Sequence, residues 1–275
     1  MINILLCGNY KVFDGALCEL ISITKRTNEP ITCYIFTADV SRIKPEYVPI
    51  TEKQVKFLDD YIKLKDKRNR AIRIDVTQLY VEEFMNSPNE SAYCTPYTLL
   101  RLLADKVPNM PEKLLYLDID MMIADDLKIL YDIDIDGFEY AAVREKYGCW
   151  LVRPDYINAG MLLLNMKEIK KTELLQKARE KIKTKKMLFA DQDALFWSTT
   201  KKKLLPRKFN EQSKFNRDDT IICHFCKRLM WLPYPHTENY KQWNIDGIHK
   251  ELKCYKFDDD LEEYIKLKKE FENEG

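Results

Sequence analysis

The segment Leu114-Leu115-Tyr116-Leu117-Asp118-Ile119-Asp120 places two carboxylates at alternate positions directly after an apolar run. Such a run reads as a strand buried on both faces, and open α/β sheets bind ligands at the carboxyl ends of their strands. Two carboxylates ~4 Å apart in an effective dielectric of ~20 repel by about 4 kcal/mol, so the pair calls for a cation. A hard divalent ion held through oxygen meets that demand. Acids after a strand also cap helices, and Asp125 and Asp126, just ahead of Leu127 to Tyr131, are assigned that duty. The alternation from Asp132 through Asp134 to Asp136 lacks a buried strand before it and runs into Gly137, which predicts an exposed edge or turn.

Three further groups carry polar chemistry beside apolar runs. Tyr156-Ile157-Asn158-Ala159-Gly160 precedes Met161 to Leu164, Asp191-Gln192-Asp193 opens a helical stretch, and His224 follows Ile221-Ile222. Asp191 also suits the N-cap of the helix through Trp197, and Asn158 suits a turn before a strand. Arg101 sits among Leu99, Leu100, Leu102 and Leu103, where a guanidinium needs a partner. It either orients an acid of the Asp118–Asp120 pair, reaches a phosphate, or pairs with Asp105 four residues on.

These groups must be positioned by strands expected at Ile2 to Cys7, Ile31 to Thr37, Ile72 to Val76, Leu114 to Leu117, Tyr140 to Val143 and Met161 to Leu164. Helices are expected over Val12 to Lys25, Glu52 to Arg68, Pro96 to Val107 with Thr95 as N-cap, Lys167 to Lys183, and Gln192 to Thr199. The alternation predicts an α/β fold, a mostly parallel central sheet flanked by helices. One domain is expected over residues 1–250, with a polar tail over 251–275 that adds a helix through Leu261, Tyr264 and Ile265.

Of the 275 residues 45% are hydrophobic and 12% aromatic, enough for a sizeable core. No apolar run approaches ~18 residues, and Ile2 to Cys7 read as a first strand with no leader before it. Eight scattered cysteines with ample aliphatics suggest a reducing cytoplasm. The net charge of +1 argues against a nucleic-acid partner. Between Lys167 and Lys208, however, fourteen Lys or Arg face five Asp or Glu. Opposite an apolar stripe of Leu174, Leu175, Ala178 and Ile182 this reads as a solvated helix face. The alternative is a surface for an anionic acceptor or for peripheral membrane contact.

The ordered set LYLDIDMMI, YINAGMLLLN and FADQDALF, with His224, resembles the retaining glycosyltransferases of family 8, the glycogenin and lipopolysaccharide galactosyltransferase group, over roughly residues 2–228. That resemblance implies a GT-A fold. It implies Asp118, Asp120 and His224 as ligands of Mn²⁺ or Mg²⁺, the nitrogen ligand favouring Mn²⁺. It implies a UDP-sugar donor, with Asn9 and Tyr10 at the nucleobase and Arg101 and Asp118 beside the metal and phosphates. Asn158, Ala159, Asp191 and Gln192 are implied at the donor sugar, the last two as the catalytic pair. Cys7 and Gly8 stand where relatives often carry an acidic residue. After His224, relatives continue with Gly and then Lys-Pro-Trp, whereas this chain reads Phe225-Cys226-Lys227-Arg228-Leu229-Met230-Trp231. Lys227 or Arg228 then stands in for the phosphate-binding lysine. Transfer of glucose or galactose to a hydroxyl of a glycan or lipid-linked oligosaccharide is the implied activity.

Three other readings compete. A haloacid-dehalogenase-type phosphatase also uses a strand-end Asp pair, but the Ser or Thr it needs two residues later is Met122. A donor-binding protein without turnover fits the altered segment after His224. Zinc held by Cys223, Cys226 and His236 lacks a second Cys pair. Replacement of Asp120 by Asn is expected to abolish turnover and to leave metal-free stability unchanged or higher, since an uncompensated carboxylate goes.

Overall fold

A computed structural model describes residues 1–90, 95–230, 232 and 234–274. Strands run over β1 (Ile2–Cys7), β2 (Ile31–Thr37), β3 (Arg70–Asp75), β4 (Lys113–Leu117), β5 (Met121–Ile123), β6 (Tyr140–Arg144), β7 (Ile157–Asn165), β8 (Lys202–Leu205), β9 (Ile222–His224), β10 (Arg228–Met230) and β11 (His236–Glu238). The main sheet has the order β3-β2-β1-β4-β7-β6-β8. Only the β4–β7 and β7–β6 pairings are antiparallel. The chain leaves β1 toward β2 and β3, then returns on the other side of β1 as β4. The crevice at the carboxyl ends of β1 and β4 is therefore the topological switch point, where this architecture leaves room for a ligand.

Helices α1 (Phe13–Arg26), α2 (Glu52–Lys65), α3 (Thr77–Phe84), α4 (Lys128–Tyr131), α5 (Gly148–Leu151), α6 (Met166–Thr172), α7 (Leu174–Thr184), α8 (Ala190–Ser198), α9 (Ile245–Lys250) and α10 (Asp258–Asn273) cover the sheet. Alternate strand residues feed two cores. Ile4, Leu6, Ile35, Leu115 and Leu117 face one, Leu5, Cys7, Phe36, Leu114 and Tyr116 the other. Thr51 and Gln54 close a capping box on α2, worth about 1 kcal/mol. Val55, Leu58, Tyr61 and Ile62 then turn its apolar stripe inward.

Four expectations change in detail. Pro96–Leu103 is a 3-10 helix rather than an α-helix reaching Val107. Leu99, Leu100, Leu102 and Leu103 are all buried, so packing rather than propensity holds it. Lys167 to Lys183 is two helices, broken where Glu173 adopts φ 57°. The apolar stripe of α7 is buried as expected, but Arg179 on the same helix is buried too, paired to Asp105. Lastly, α10 packs on α1 through Leu261, Tyr264 and the Phe13–Phe271 ring pair, so the C-terminal segment joins the first core. Asp132, Asp134 and Asp136 are exposed before Gly137 at φ 69°, a turn as predicted. Among the described residues no helix is long and apolar enough to cross a membrane.

Candidate active site and metal centre

The strand β4 carries Asp118 to the switch point, and the sheet fixes it there through its amide, which donates to the Gly160 carbonyl at 2.7 Å. One carboxylate oxygen, Oδ1, accepts from the Tyr116 hydroxyl at 2.5 Å and from Arg101 Nη2 at 2.9 Å. The other faces His224. Antiparallel pairing of β5 with β9 sets Met121 opposite His224, and the Phe225 amide donates to the Asp120 carbonyl at 2.7 Å. His224 Nε2 consequently lies 3.1 Å from Asp120 Oδ1 and 3.8 Å from Asp118 Oδ2. Ligand atoms of the three residues all fall within 4.8 Å of one another. Gly160 makes this approach possible, since a Cβ there would overlap the His224 ring and lie 2.8 Å from Asp118 Oδ2.

A chain of amides sets the imidazole. Asn158 Oδ1 accepts from the Gly160 amide at 3.0 Å and from Asn210 Nδ2 at 2.9 Å. Asn210 Oδ1 is thereby turned toward His224 Nδ1, 3.0 Å away. An amide oxygen can only accept, so Nδ1 carries a proton and Nε2 is the nitrogen turned to the space between the acids. Two carboxylate oxygens and an oriented imidazole nitrogen fit a divalent transition metal.

Arg101 is buried beneath this centre and stacks on Tyr116, 3.9 Å from the ring centroid. Its Nε lies 3.3 Å from Asp191 Oδ2, and Nη1 donates to the Ala159 carbonyl. Burial disfavours the guanidinium charge, yet Asp191, Tyr116 and Asp118 outweigh it and strengthen the group's hold on its proton. Burial lifts the Asp191 carboxyl above its ordinary range; Arg101 opposes that rise and Asp118 adds to it. Asp105 is not the partner of Arg101, because Arg179 occupies it. Nor does Asp191 cap α8: Asp193 Oδ2 accepts from the Phe189 amide at 2.9 Å, leaving Asp191 to the buried pair. Asp193 also accepts the Tyr156 hydroxyl. Gln192 Oε1 accepts from the Ala159 amide at 3.0 Å.

Asp120 has a second cationic neighbour. Lys241 Nζ is paired with its Oδ2, from a segment that also gives Gln242 Nε2 to the Ile119 carbonyl at 2.7 Å. Burial works against ionisation of Asp120, but His224 and Lys241 outweigh it and hold the carboxyl well below the usual carboxylate range. Glu19 of α1 is fully buried, and neither of its carboxylate oxygens has a hydrogen-bond partner among the described residues. Burial, with Asp120 and Asp118 adding to it, pushes its carboxyl far up.

In front of the centre opens a cleft of about 500 Å³ lined by Asn9, Lys11, Glu46, Tyr47, Tyr97, Thr98, Asp118, Asp120, Lys241 and Trp243 among others. Asn9 is tied to Glu46 by its side chain, whereas Tyr10 is not among the lining residues. Lys227 is exposed on the connection between β9 and β10, and Arg228 is turned to the Ser213 carbonyl at 3.0 Å. Trp231 lies outside the described residues. The zinc reading does not assemble: His236 is engaged with the Tyr234 carbonyl and Glu238. Burial pushes the Cys226 thiol up to about 12, so it is no ready thiolate. Among the described residues, Asp118, Asp120 and His224 form the one cluster of three such groups able to hold a metal.

The sequence model described as "Glycosyl transferase family 8" matches residues 3–232. The chain belongs to this family. Among the chain's curated relatives is a putative glycosyltransferase of Haemophilus influenzae, 31% identical over 106 residues that make up 35% of this chain and 32% of the relative. Glycosyltransferase GlyF of Streptococcus pneumoniae is 22% identical over 84% of this chain and 47% of its own length. The chain thus spans less than half of either curated relative. Solved structures of LgtC superpose on it, an active-site mutant with a TM-score of 0.68 and a complex with donor and acceptor sugar analogues with 0.64. Each is 18% identical, and the matches cover 98% and 97% of this chain and 96% and 95% of theirs. The fold is GT-A. The phosphatase reading is not favoured, since Met122 is a fully buried strand residue rather than a Ser or Thr.

Tyr116, Gly160, Asn210, Lys241 and Trp243 reach the site although the sequence reading gave them no role there. Gly160 alone carried a usable signal, as a glycine entering an apolar strand marks a close approach.

Proposed function

We propose that this family 8 chain is a metal-dependent, retaining hexosyltransferase. It moves glucose or galactose from a UDP-sugar to a hydroxyl of a glycan or lipid-linked oligosaccharide, in bacterial surface-polysaccharide or lipopolysaccharide-type synthesis. The observation that carries this reading is the convergence of Asp118, Asp120 and His224 at the sheet's switch point, beside the buried Arg101–Asp191 pair. LgtC, described as a galactosyltransferase in complex with donor and acceptor sugar analogues, shares the fold.

Asp118, Asp120 and His224 hold Mn²⁺ or Mg²⁺ in this reading, and the imidazole nitrogen favours Mn²⁺. Bound there, the ion supplies Lewis-acid stabilisation of the charge on the departing diphosphate. In this reading Asn9 and Tyr10 serve the nucleobase; Asn9 and the edge-on Tyr47–Tyr97 pair line the cleft, while Tyr10 stands outside its lining. Asn158 and Asp191 read sugar hydroxyls, and Ala159 shapes the backbone between them. Gln192 brings a polar oxygen near the anomeric carbon, and the acceptor attacks on the face the diphosphate leaves. In LgtC the active-site mutant replaces a glutamine by glutamate, which supports that assignment. Lys227 serves the phosphates. The protein acts in the cytoplasm, with the Lys-rich stretch 167–208 toward the inner membrane face.

The test is release of UDP from UDP-glucose and UDP-galactose with Mn²⁺, alone and with glycan acceptors, beside thermal-shift titrations of the same nucleotides. Metal-dependent stabilisation with UDP release supports the transferase. Stabilisation without release by any donor makes the chain a donor-binding protein, and no stabilisation by any of them ends the reading.

A further inference from the structure

Outside the cleft, three segments leave large apolar side chains in solvent. Trp150 is 87% exposed and Leu151 81% on α5, Leu188 is 70% exposed just ahead of α8, and Leu232 is 82% exposed between β10 and β11. The fold puts them there. Glu145 accepts from the amides of Tyr147 and Gly148 and so starts the single turn of α5. Gly148 takes the inward position, where a Cβ would overlap the Tyr156 ring, and the turn is pressed onto that ring with Trp150 and Leu151 left outside.

Hydrogen bonds make the three segments neighbours. The Tyr147 hydroxyl donates to the Leu229 carbonyl at 3.4 Å, which joins α5 to the β10–β11 hairpin. Buried Tyr156 donates its hydroxyl to Asp193, whose Oδ2 accepts from the Phe189 amide at 2.9 Å. The Phe189 carbonyl accepts from the Gln192 amide at 2.9 Å, so the patch runs up to the candidate site. Its rim is basic. Arg144, Lys146, Lys185 and Lys186 are exposed, and among the described residues none of the four is ion-paired. Across residues 144–153, 185–189 and 226–236 the one acid is Glu145, and its carboxylate is turned to the amides of α5.

We propose that this patch docks the protein on an anionic bilayer, with Trp150, Leu151, Leu188 and Leu232 in the headgroup layer and the four cations on acidic headgroups. Tryptophan and leucine flanked by Lys and Arg are the composition that partitions to a lipid interface. A second copy fits worse, because face-to-face pairing sets two unpaired basic rims against each other. Docked this way, the chain turns its Gln192 side to the membrane, where a lipid-linked acceptor presents its hydroxyl. That last step rests on the transferase reading of the site, whereas the docking stands on the patch.

Sedimentation of the full chain with phosphatidylcholine vesicles, plain or with roughly one-third phosphatidylglycerol, tests the docking. Wild type should bind the anionic vesicles ~100-fold tighter than the plain ones, and less tightly as salt rises. Lys185→Ala with Lys186→Ala should lose ~25-fold, about fivefold for each lysine. Trp150→Ala with Leu151→Ala should lose ~10-fold or more. Both double variants should keep the wild-type Tm and wild-type UDP release in the absence of vesicles, since their side chains are exposed and outside the site. A wild type that stays in the supernatant with anionic vesicles overturns the docking. So does binding unchanged in both double variants, which puts the contact elsewhere on the surface. A dimer in analytical ultracentrifugation that Trp150→Ala with Leu151→Ala dissolves makes the patch an interface between copies and overturns it as well. UDP release by a wild type that ignores vesicles leaves the transferase reading standing. Vesicle binding without UDP release from any donor supports the docking and removes the lipid-linked acceptor.

Discussion

Asn210 Oδ1 lies 3.0 Å from His224 Nδ1 and fixes which nitrogen of the imidazole faces the acid pair. The amide is in turn oriented by Asn158, so a residue implied at the donor sugar also steers the candidate metal ligand from behind. Held this way, the ring keeps Nε2 toward the acids without having to rotate.

Removing that support should weaken metal binding without unfolding the chain. Asn210→Ala is expected to lower Mn²⁺ affinity ~10–100-fold, as loss of a partner behind a ligand generally does. Titration calorimetry of Mn²⁺ reads it. Unchanged affinity would mean that the register of β9 with β5 alone orients the ring.

Arg101 holds Asp118, Asp191 and the Ala159 carbonyl at once, with its plane on Tyr116. Lysine keeps the charge but cannot serve three acceptors from one rigid fork. Arg101→Lys should cost about 2 kcal/mol or more in urea unfolding, because a buried acid loses its partner. Donor turnover should fall ~10²-fold through misplaced acids. A variant with wild-type stability would refute the buried network.

The sequence suggested that Asp120→Asn would leave metal-free stability unchanged or higher. The fold changes the expectation, since Lys241 and His224 already compensate that carboxylate. A carboxyl held below its ordinary range contributes stability that is present above the unfolded-state pKa and lost as pH falls through the folded-state one. Without metal at neutral pH, Asp120→Asn should be about 1–3 kcal/mol less stable than wild type. The gap should close as pH drops below the ordinary carboxylate range. Denaturant unfolding in chelator across pH 3–7 (roughly the interval in which unfolded carboxylates titrate) measures it; a gap independent of pH would count against the pairing. Turnover should be lost in either case.

Glu19 has the opposite sign. Its carboxyl is pushed up by burial and by the acid pair, so the neutral form stabilises the fold at low pH and that contribution fades as pH rises through the elevated value. Glu19→Gln cannot ionise. It should match wild type in acid and exceed it by about 1–3 kcal/mol once the wild-type group is driven to charge, the cost of an unpaired buried charge. Thermal melts of both proteins across pH 5–9, roughly the range open to a raised carboxyl, give the comparison. A variant less stable than wild type at every pH would point to a partner for Glu19.

Local pattern alone was enough for the buried strand ending at Asp118, the helix that opens at Asp191, the apolar stripe of α7 and the family motifs. Each is written within about ten neighbouring residues, where periodicity and residue type act directly. The same local record misread Pro96 to Val107 and Lys167 to Lys183, because all-round burial and the left-handed turn at Glu173 are not periodic signals.

The identity of the acids, the histidine and the buried arginine was thus fixed by the sequence itself. Their partners were decided only by tertiary structure. Arg101 passes over Asp105, one turn away, for Asp118 and Asp191, and Asp120 receives its ammonium from Lys241, far along the chain. The physical reason is that a buried charge is satisfied by whatever the packed backbone brings within hydrogen-bond reach, and sheet order, not sequence distance, determines that reach.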